Sequence, residues 1–238
     1  LHTMLNQDHK KNAKSFVGKD FERLSRYSSN FKKSLPKKSK QVDLQSICKQ
    51  INKSTVVMFG DFHTLRKTQD SLVELLEAYL KHYKRKKIIV ALEAFQRRDQ
   101  QHIDDYLSSK ISEKKLLENT SYEKNWGFPW ENYKSIVNFA KNNNIKLTAL
   151  NHIEKDLRTR DEKIAETIAD QIQKNPTHLI VCVIGEHHLA DDHLPAYLNK
   201  ENLNGKNKLR LTRVISNIDS YFFKTKDYDL LLPVNYLQ

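Results

Sequence analysis

Residues 55–83 read TVVMFGDFHTLRKTQDSLVELLEAYLKHY. The segment opens on a short β-branched, apolar run, Thr55 to Phe59, which predicts a buried strand. From Leu65 the apolar period lengthens. Leu65, Gln69, Leu72, Val73, Leu76, Leu80 and Tyr83 recur at three- and four-residue steps, the spacing of one helix face, so a helix is expected over 65–83. The basic residues at 84–87 suit the negative end of that helix's dipole. A strand handing over directly to an amphipathic helix is half of a βαβ unit.

The same handover repeats outward along the chain. β-Branched runs at 87–92, 145–150 and 178–184, with a fifth at 209–215, predict further strands; segments 95–107, 133–142 and 161–173 carry helical period. Strands alternating with helices imply an α/β fold, with a mainly parallel central sheet flanked by helices on both faces. Residues 41–238 read as a single domain. Residues 1–40 read as a basic N-terminal extension, partly helical, in which Phe16, Phe21, Leu24, Tyr27 and Phe31 form a stripe that could dock on the domain.

The chain has 238 residues, 38% hydrophobic, with a mean hydropathy of -0.72. The longest apolar run, 179–184, is far short of the roughly 20 residues a spanning helix needs. Cys48 and Cys182 are too few for a disulfide scaffold or an all-cysteine zinc site. The net charge is +12, but residues 1–40 hold 11 basic against 3 acidic residues, so the rest carries only +4. No specific nucleic-acid partner is expected from so balanced a domain, whereas the basic front is open to peripheral membrane attachment. The sequence starts at Leu1, so removal of an upstream segment is expected and the lack of a signal peptide is uninformative.

In a parallel sheet, ligands gather beyond the carboxyl ends of the strands. Those ends carry Gly60-Asp61-Phe62-His63, Leu92-Glu93-Ala94-Phe95, Leu150-Asn151-His152 and Gly185-Glu186-His187-His188. Each delivers a carboxylate, an imidazole or both. In an extended chain Asp61 and His63 share a face and could share a metal or a proton; alternatively Asp61 caps the helix that follows. Glu93 ends an apolar run and, once buried, needs a cation, a metal or hydrogen-bond donors; an Arg or Lys partner is the structural alternative. Arg158-Thr159-Arg160-Asp161 opens a helix, whose N-terminus favours anions. Trp126-Gly127-Phe128-Pro129-Trp130, with Tyr133, is an aromatic cluster suited to core packing or to walling a flat ligand.

Taken in order and spacing, these residues resemble the ChaN-like haem-binding uptake family, related to erythromycin esterase-like, Tiki and TraB proteins, over roughly residues 41–225. The resemblance rests on Gly60-Asp61-Phe62-His63-Thr64, Leu92-Glu93-Ala94-Phe95 with Asp99-Gln100, Trp130 and Tyr133 ahead of Leu150-Asn151, Arg160-Asp161 before Ile164-Ala165, and Gly185 with His188. Two motifs depart from the family pattern: Asp61 replaces a Glu in the first, and Glu186 and His187 replace small residues in the last.

The resemblance implies haem as cofactor, held between paired protomers of a homodimer with a Tyr or His on the iron, and a periplasmic or lipoprotein address. On that reading Trp130, Tyr133, Asn151 and His187 line the cofactor. Relatives that look like hydrolases imply an alternative, in which Asp61, His63 and His188 hold a divalent metal, Glu93 is the general base and Arg160 steadies the oxyanion. A third alternative is an interaction module with a vestigial site.

Overall fold

Five parallel strands form one sheet in the order β3-β2-β4-β1-β5 in a computed structural model of the chain. The residues described are 27, 29–31, 33, 34, 42–83, 87–154, 156–202 and 209–215. Most of the expected extension over 1–40, and everything past 215, lies outside them. The strands are β1 (Val56–Asp61), β2 (Ile88–Gln96), β3 (Lys146–Asn151), β4 (Leu179–Gly185) and β5 (Leu211–Ile215). All five match the β-branched runs, and the expected mainly parallel sheet is parallel throughout.

Alternation along the strands divides the core in two. Val57, Phe59, Val90, Leu92, Leu147, Val181 and Val183 pack into one buried cluster, while Val56, Met58, Ile89, Ala91, Ile180, Cys182 and Ile184 pack into the other. The first face is covered by α1 (Leu44–Lys53), α2 (Arg66–His82), α3 (Gln100–Leu107), α4 (Glu113–Thr120), α5 (Tyr122–Trp126) and α6 (Trp130–Asn142). The second is covered by α7 (Leu157–Lys174) and α8 (Leu194–Asn202), joined by Phe31 from ahead of α1. Helices therefore flank both faces. None of the described helices is long and apolar enough to cross a membrane.

Crossovers from β1 and β2 run over the first face, and those from β3 and β4 over the second. Between β1 and β2 stands β4, hydrogen-bonded to both, so the connections leaving adjacent strands part in opposite directions. Such a switch point opens a crevice at the carboxyl ends, which here lies above Asp61, Glu93 and Gly185.

Three boundaries differ from expectation. Strand β2 runs on through Glu93, Ala94 and Phe95, because past an irregularity in pairing Gln96 still aligns with Asn151; a 3-10 turn, Arg97–Asp99, then delays the helix to Gln100. Helix α6 starts at Trp130, directly after Pro129. Helix α7 starts at Leu157 rather than 161, because Asp156 accepts a hydrogen bond from the Thr159 N–H and caps it.

Candidate functional site

Asp61, the last residue of β1, is only 3% exposed. It does not cap α2, whose N-cap position is held by Leu65 without a side-chain bond. Its carboxylate is instead fully engaged. Gln69 of α2 donates to Oδ1, and the Tyr133 hydroxyl of α6 donates to Oδ2 at 2.7 Å. His63 brings Nδ1 to 2.8 Å from the same Oδ2 and to 3.0 Å from the Tyr133 oxygen. The single hydroxyl proton is spent on the carboxylate, so the bond to His63 requires its proton on Nδ1. Asn132 fixes the adjacent backbone by donating to the His63 carbonyl at 3.0 Å.

The other ring nitrogen of His63, Nε2, faces Glu93 Oε2 at 3.9 Å. Glu93 is 3% exposed. Among the described residues its partners are not Arg or Lys: the Gly185 N–H donates to Oε2 at 2.8 Å, and His188 Nε2 lies 3.5 Å from Oε1. Beyond His188 the first pattern recurs. Its Nδ1 bonds Asp161 Oδ1 and lies 2.8 Å from the Tyr27 hydroxyl, which donates to Asp161 Oδ2. Two Tyr–Asp–His sets thus address one glutamate, His63 Nε2 toward its Oε2 and His188 Nε2 toward its Oε1.

Electrostatics follow from this crowding. Burial works against a charged His63, but the carboxylates of Asp61, Glu93 and Glu186 outweigh it and leave its pKa raised above 6.5. Burial likewise opposes charge on His188, and Asp161 and Glu93 outweigh both that and the field of Arg160, so its pKa too is raised. Burial first, and then the neighbouring aspartates, push the hydroxyls of Tyr133 and Tyr27 far up, which keeps both as O–H donors.

The structure brings together Asp61, His63, Glu93, His188 and Tyr133 of the residues singled out in the sequence. Tyr133 is wholly buried behind Asp61, which makes it a support for His63 rather than a lining residue. Trp130 packs on Tyr122 and Phe95, with ring centroids 5.2 and 6.2 Å away. The aromatic neighbours of His63 are instead Trp126 and Phe128, each 4.7 Å from its ring. Asn151 is buried at the end of β3. The carbonyl of His187 accepts from His193 Nδ1, and its ring lies 5.5 Å from that of Phe31. Arg160 is turned to the Glu154 carbonyl, donating from Nε and a terminal nitrogen at 3.2 and 2.7 Å.

The expected metal set of Asp61, His63 and His188 does not converge. Asp61 binds His63 on Nδ1, while Nε2 faces Glu93. Among the described residues no group of three His, Cys, Asp or Glu side chains is arranged to hold a metal ion. Three participants escaped the sequence reading. Asp161 stands at the start of the helical period expected over 161–173, but α7 begins four residues earlier and carries it into the interior. Gln69 and Tyr27 each sat on an apolar stripe; a polar group on such a stripe was the available signal.

Residues 47–159 match the model of the family described as haem-binding uptake, Tiki superfamily, ChaN. The family resemblance read from the motifs is borne out over that stretch, which ends before Asp161 and the Gly185 to His188 turn. A comparison with curated proteins gives no match. Among solved structures, one reporting cofacial haem binding to ChaN of Campylobacter jejuni superposes with a TM-score of 0.58 at 15% identity, covering 74% of this chain and 86% of that one. RRSP, a MARTX toxin effector domain from Vibrio vulnificus, gives a TM-score of 0.51 at 15% identity over 83% of this chain and 39% of its own. At these identities the likeness is one of fold.

Proposed function

We propose that this protein binds haem in the crevice above β1, β4 and β2, with His63 as the side chain that meets the iron. The observation carrying this reading is the Asp61–His63 pair beside Trp126 and Phe128. An imidazole whose Nδ1 proton is held by a carboxylate is the usual form of a metal-binding histidine, because the anion orients the ring and raises its basicity. Here Nε2 is the nitrogen left to bind, the His63 side chain keeps 23% exposure, and two aromatic rings flank it as a wall for a flat ligand. The donor set fits the group once the His63 ring turns Nε2 from Glu93 Oε2, 3.9 Å away. The family match over 47–159 supports the same reading, and we extend the proposal to a haem held between two copies of this chain. When bound, the porphyrin supplies an iron centre. The chain's own residues orient it: Asp61, Tyr133 and Gln69 fix His63, and Arg160 at the rim offers positive charge for a propionate.

Titration of the purified protein with hemin tests this. A shifted Soret band is expected, with affinity reduced more than about tenfold in His63→Ala. A spectrum indistinguishable from hemin mixed with an unrelated protein overturns it. Sedimentation of the loaded protein reads the pairing.

A second reading, hydrolysis of an ester or peptide, draws on a separate observation: both Nε2 atoms address Glu93. Paired titratable groups in a buried crevice are suited to passing protons to and from a reacting group. In that case Glu93→Gln and His188→Ala both abolish turnover of a screened ester. Activity surviving either change removes the reading.

A further inference from the structure

The second Tyr–Asp–His set draws its tyrosine from outside the domain. Tyr27 is helical, as are residues 29–31, 33 and 34, while His188 follows β4 and Asp161 sits on α7. We infer that Tyr27 is a positioning residue for His188, so that the segment preceding the domain is a working part of the site. The inference rests on the same site as the proposed function and holds whether that site binds haem or moves protons.

Four observations carry it. The Tyr27 hydroxyl donates to Asp161 and stands 2.8 Å from His188 Nδ1. This repeats what Tyr133 does for Asp61 and His63. Tyr27 is 6% exposed and its ring stacks on His193, with centroids 3.6 Å apart. The segment is anchored beyond Tyr27 by Phe31 in the second core cluster, by Asn30 donating to Asp192 at 2.8 Å, and by the Ser34 hydroxyl accepting from the Asp191 N–H at 3.0 Å. Tyr27 therefore occupies a built position.

The chemistry is specific to the hydroxyl. Its proton goes to Asp161, so its oxygen can only accept from His188, and the Nδ1 proton is shared between Asp161 and Tyr27. That fixes the ring with Nε2 toward Glu93. The charged and titratable groups facing His188 are Asp161, Glu93, Tyr27 and Arg160. Among the described residues, Tyr27 is the one of these that comes from ahead of position 42. Without its hydroxyl, Asp161 keeps one partner fewer and the imidazole is free to rock about the remaining bond.

The test is Tyr27→Phe in the full chain without hemin, read by NMR of the histidine ring protons at one fixed pH. The phenyl ring retains the stacking on His193, and only the hydroxyl is lost. The Nδ1 proton of His188 is expected to exchange with solvent about tenfold faster than in the parent, while that of His63 stays unchanged. Tyr133→Phe gives the reverse pattern. Unchanged exchange at His188, or equal acceleration at both histidines, overturns the inference. Should Tyr27→Phe fail to fold, a through-space contact between the Tyr27 hydroxyl proton and the His188 ring in the parent protein decides, and its absence overturns the inference equally. Because hemin is absent throughout, failure here and failure of the hemin titration are separate results.

Discussion

Glu93 receives one backbone N–H and faces two imidazoles, and that economy shapes how the fold responds to pH. Both His63 and His188 have pKa values raised above 6.5. A histidine raised in the folded state contributes stability fully below its unfolded value and loses it as pH climbs through the folded value. The urea midpoint should therefore fall as pH rises on the alkaline side of 6.5. Glu93→Gln removes the carboxylate common to both rings, so the variant should lose less stability over the same range; an identical slope in parent and variant would contradict the assignment. At this scale the site was partly legible. Asp61, His63, Glu93 and His188 could be found because strand ends in a parallel sheet point to a shared rim. Asp161 could not, since it reaches that rim from a helix whose register, not its residue type, decides where the side chain ends up; Tyr27 carried the signal of a polar group on an apolar stripe, without the place it would reach.

Elements bring these side chains together, and the tightest junction lies where β4 ends. Gly185 pairs in register with Asp61 and donates to Glu93. A Cβ built there would lie 3.1 Å from His63 Nε2 and 3.5 Å from His188 Cδ2. Its φ of -46° is open to any residue, so closeness rather than backbone conformation demands glycine. Gly185→Ala is expected to cost about 1–3 kcal/mol in urea denaturation and to weaken hemin binding by displacing His63. Unaltered stability and binding would show that the rings have room to yield. The strands were legible as β-branched runs, because burial on both faces of a parallel sheet selects such residues throughout. Helix starts were less so. The start of α7 depends on the Asp156 cap, and that of α3 on how far β2 follows β3, and neither shows in apolar periodicity.

For the whole molecule, the site joins both faces of the sheet. His63 is supported from the first face by α2 and α6, whereas His188 is supported from the second by α7 and the segment around 27–34. Phe31 ties that segment into the second cluster, and its ring is 6% exposed. If the segment unfolds with the domain as one unit, Phe31→Ala should lower global stability by about 3–5 kcal/mol with a single transition. A separate early transition, with the main midpoint unmoved, would show the segment to be an independent attachment. The α/β class was legible from the alternation of strands and helices. The part played by the segment was not, because a stripe that can dock does not say on which face it will.

The sheet order also sets a timetable. Strands β1 and β2 are early in the chain and wholly apolar along most of their length, yet neither touches the other; the place between them belongs to β4, about 80 residues beyond the end of β2. A chain emerging from the ribosome must keep β1, still without a strand partner, apart from β2, paired on one edge by β3, until residues 179–185 arrive to fill the gap. That same arrival delivers Gly185 to Glu93, so the crevice closes up as the gap between β1 and β2 is filled, with the edge strand β5 still to come.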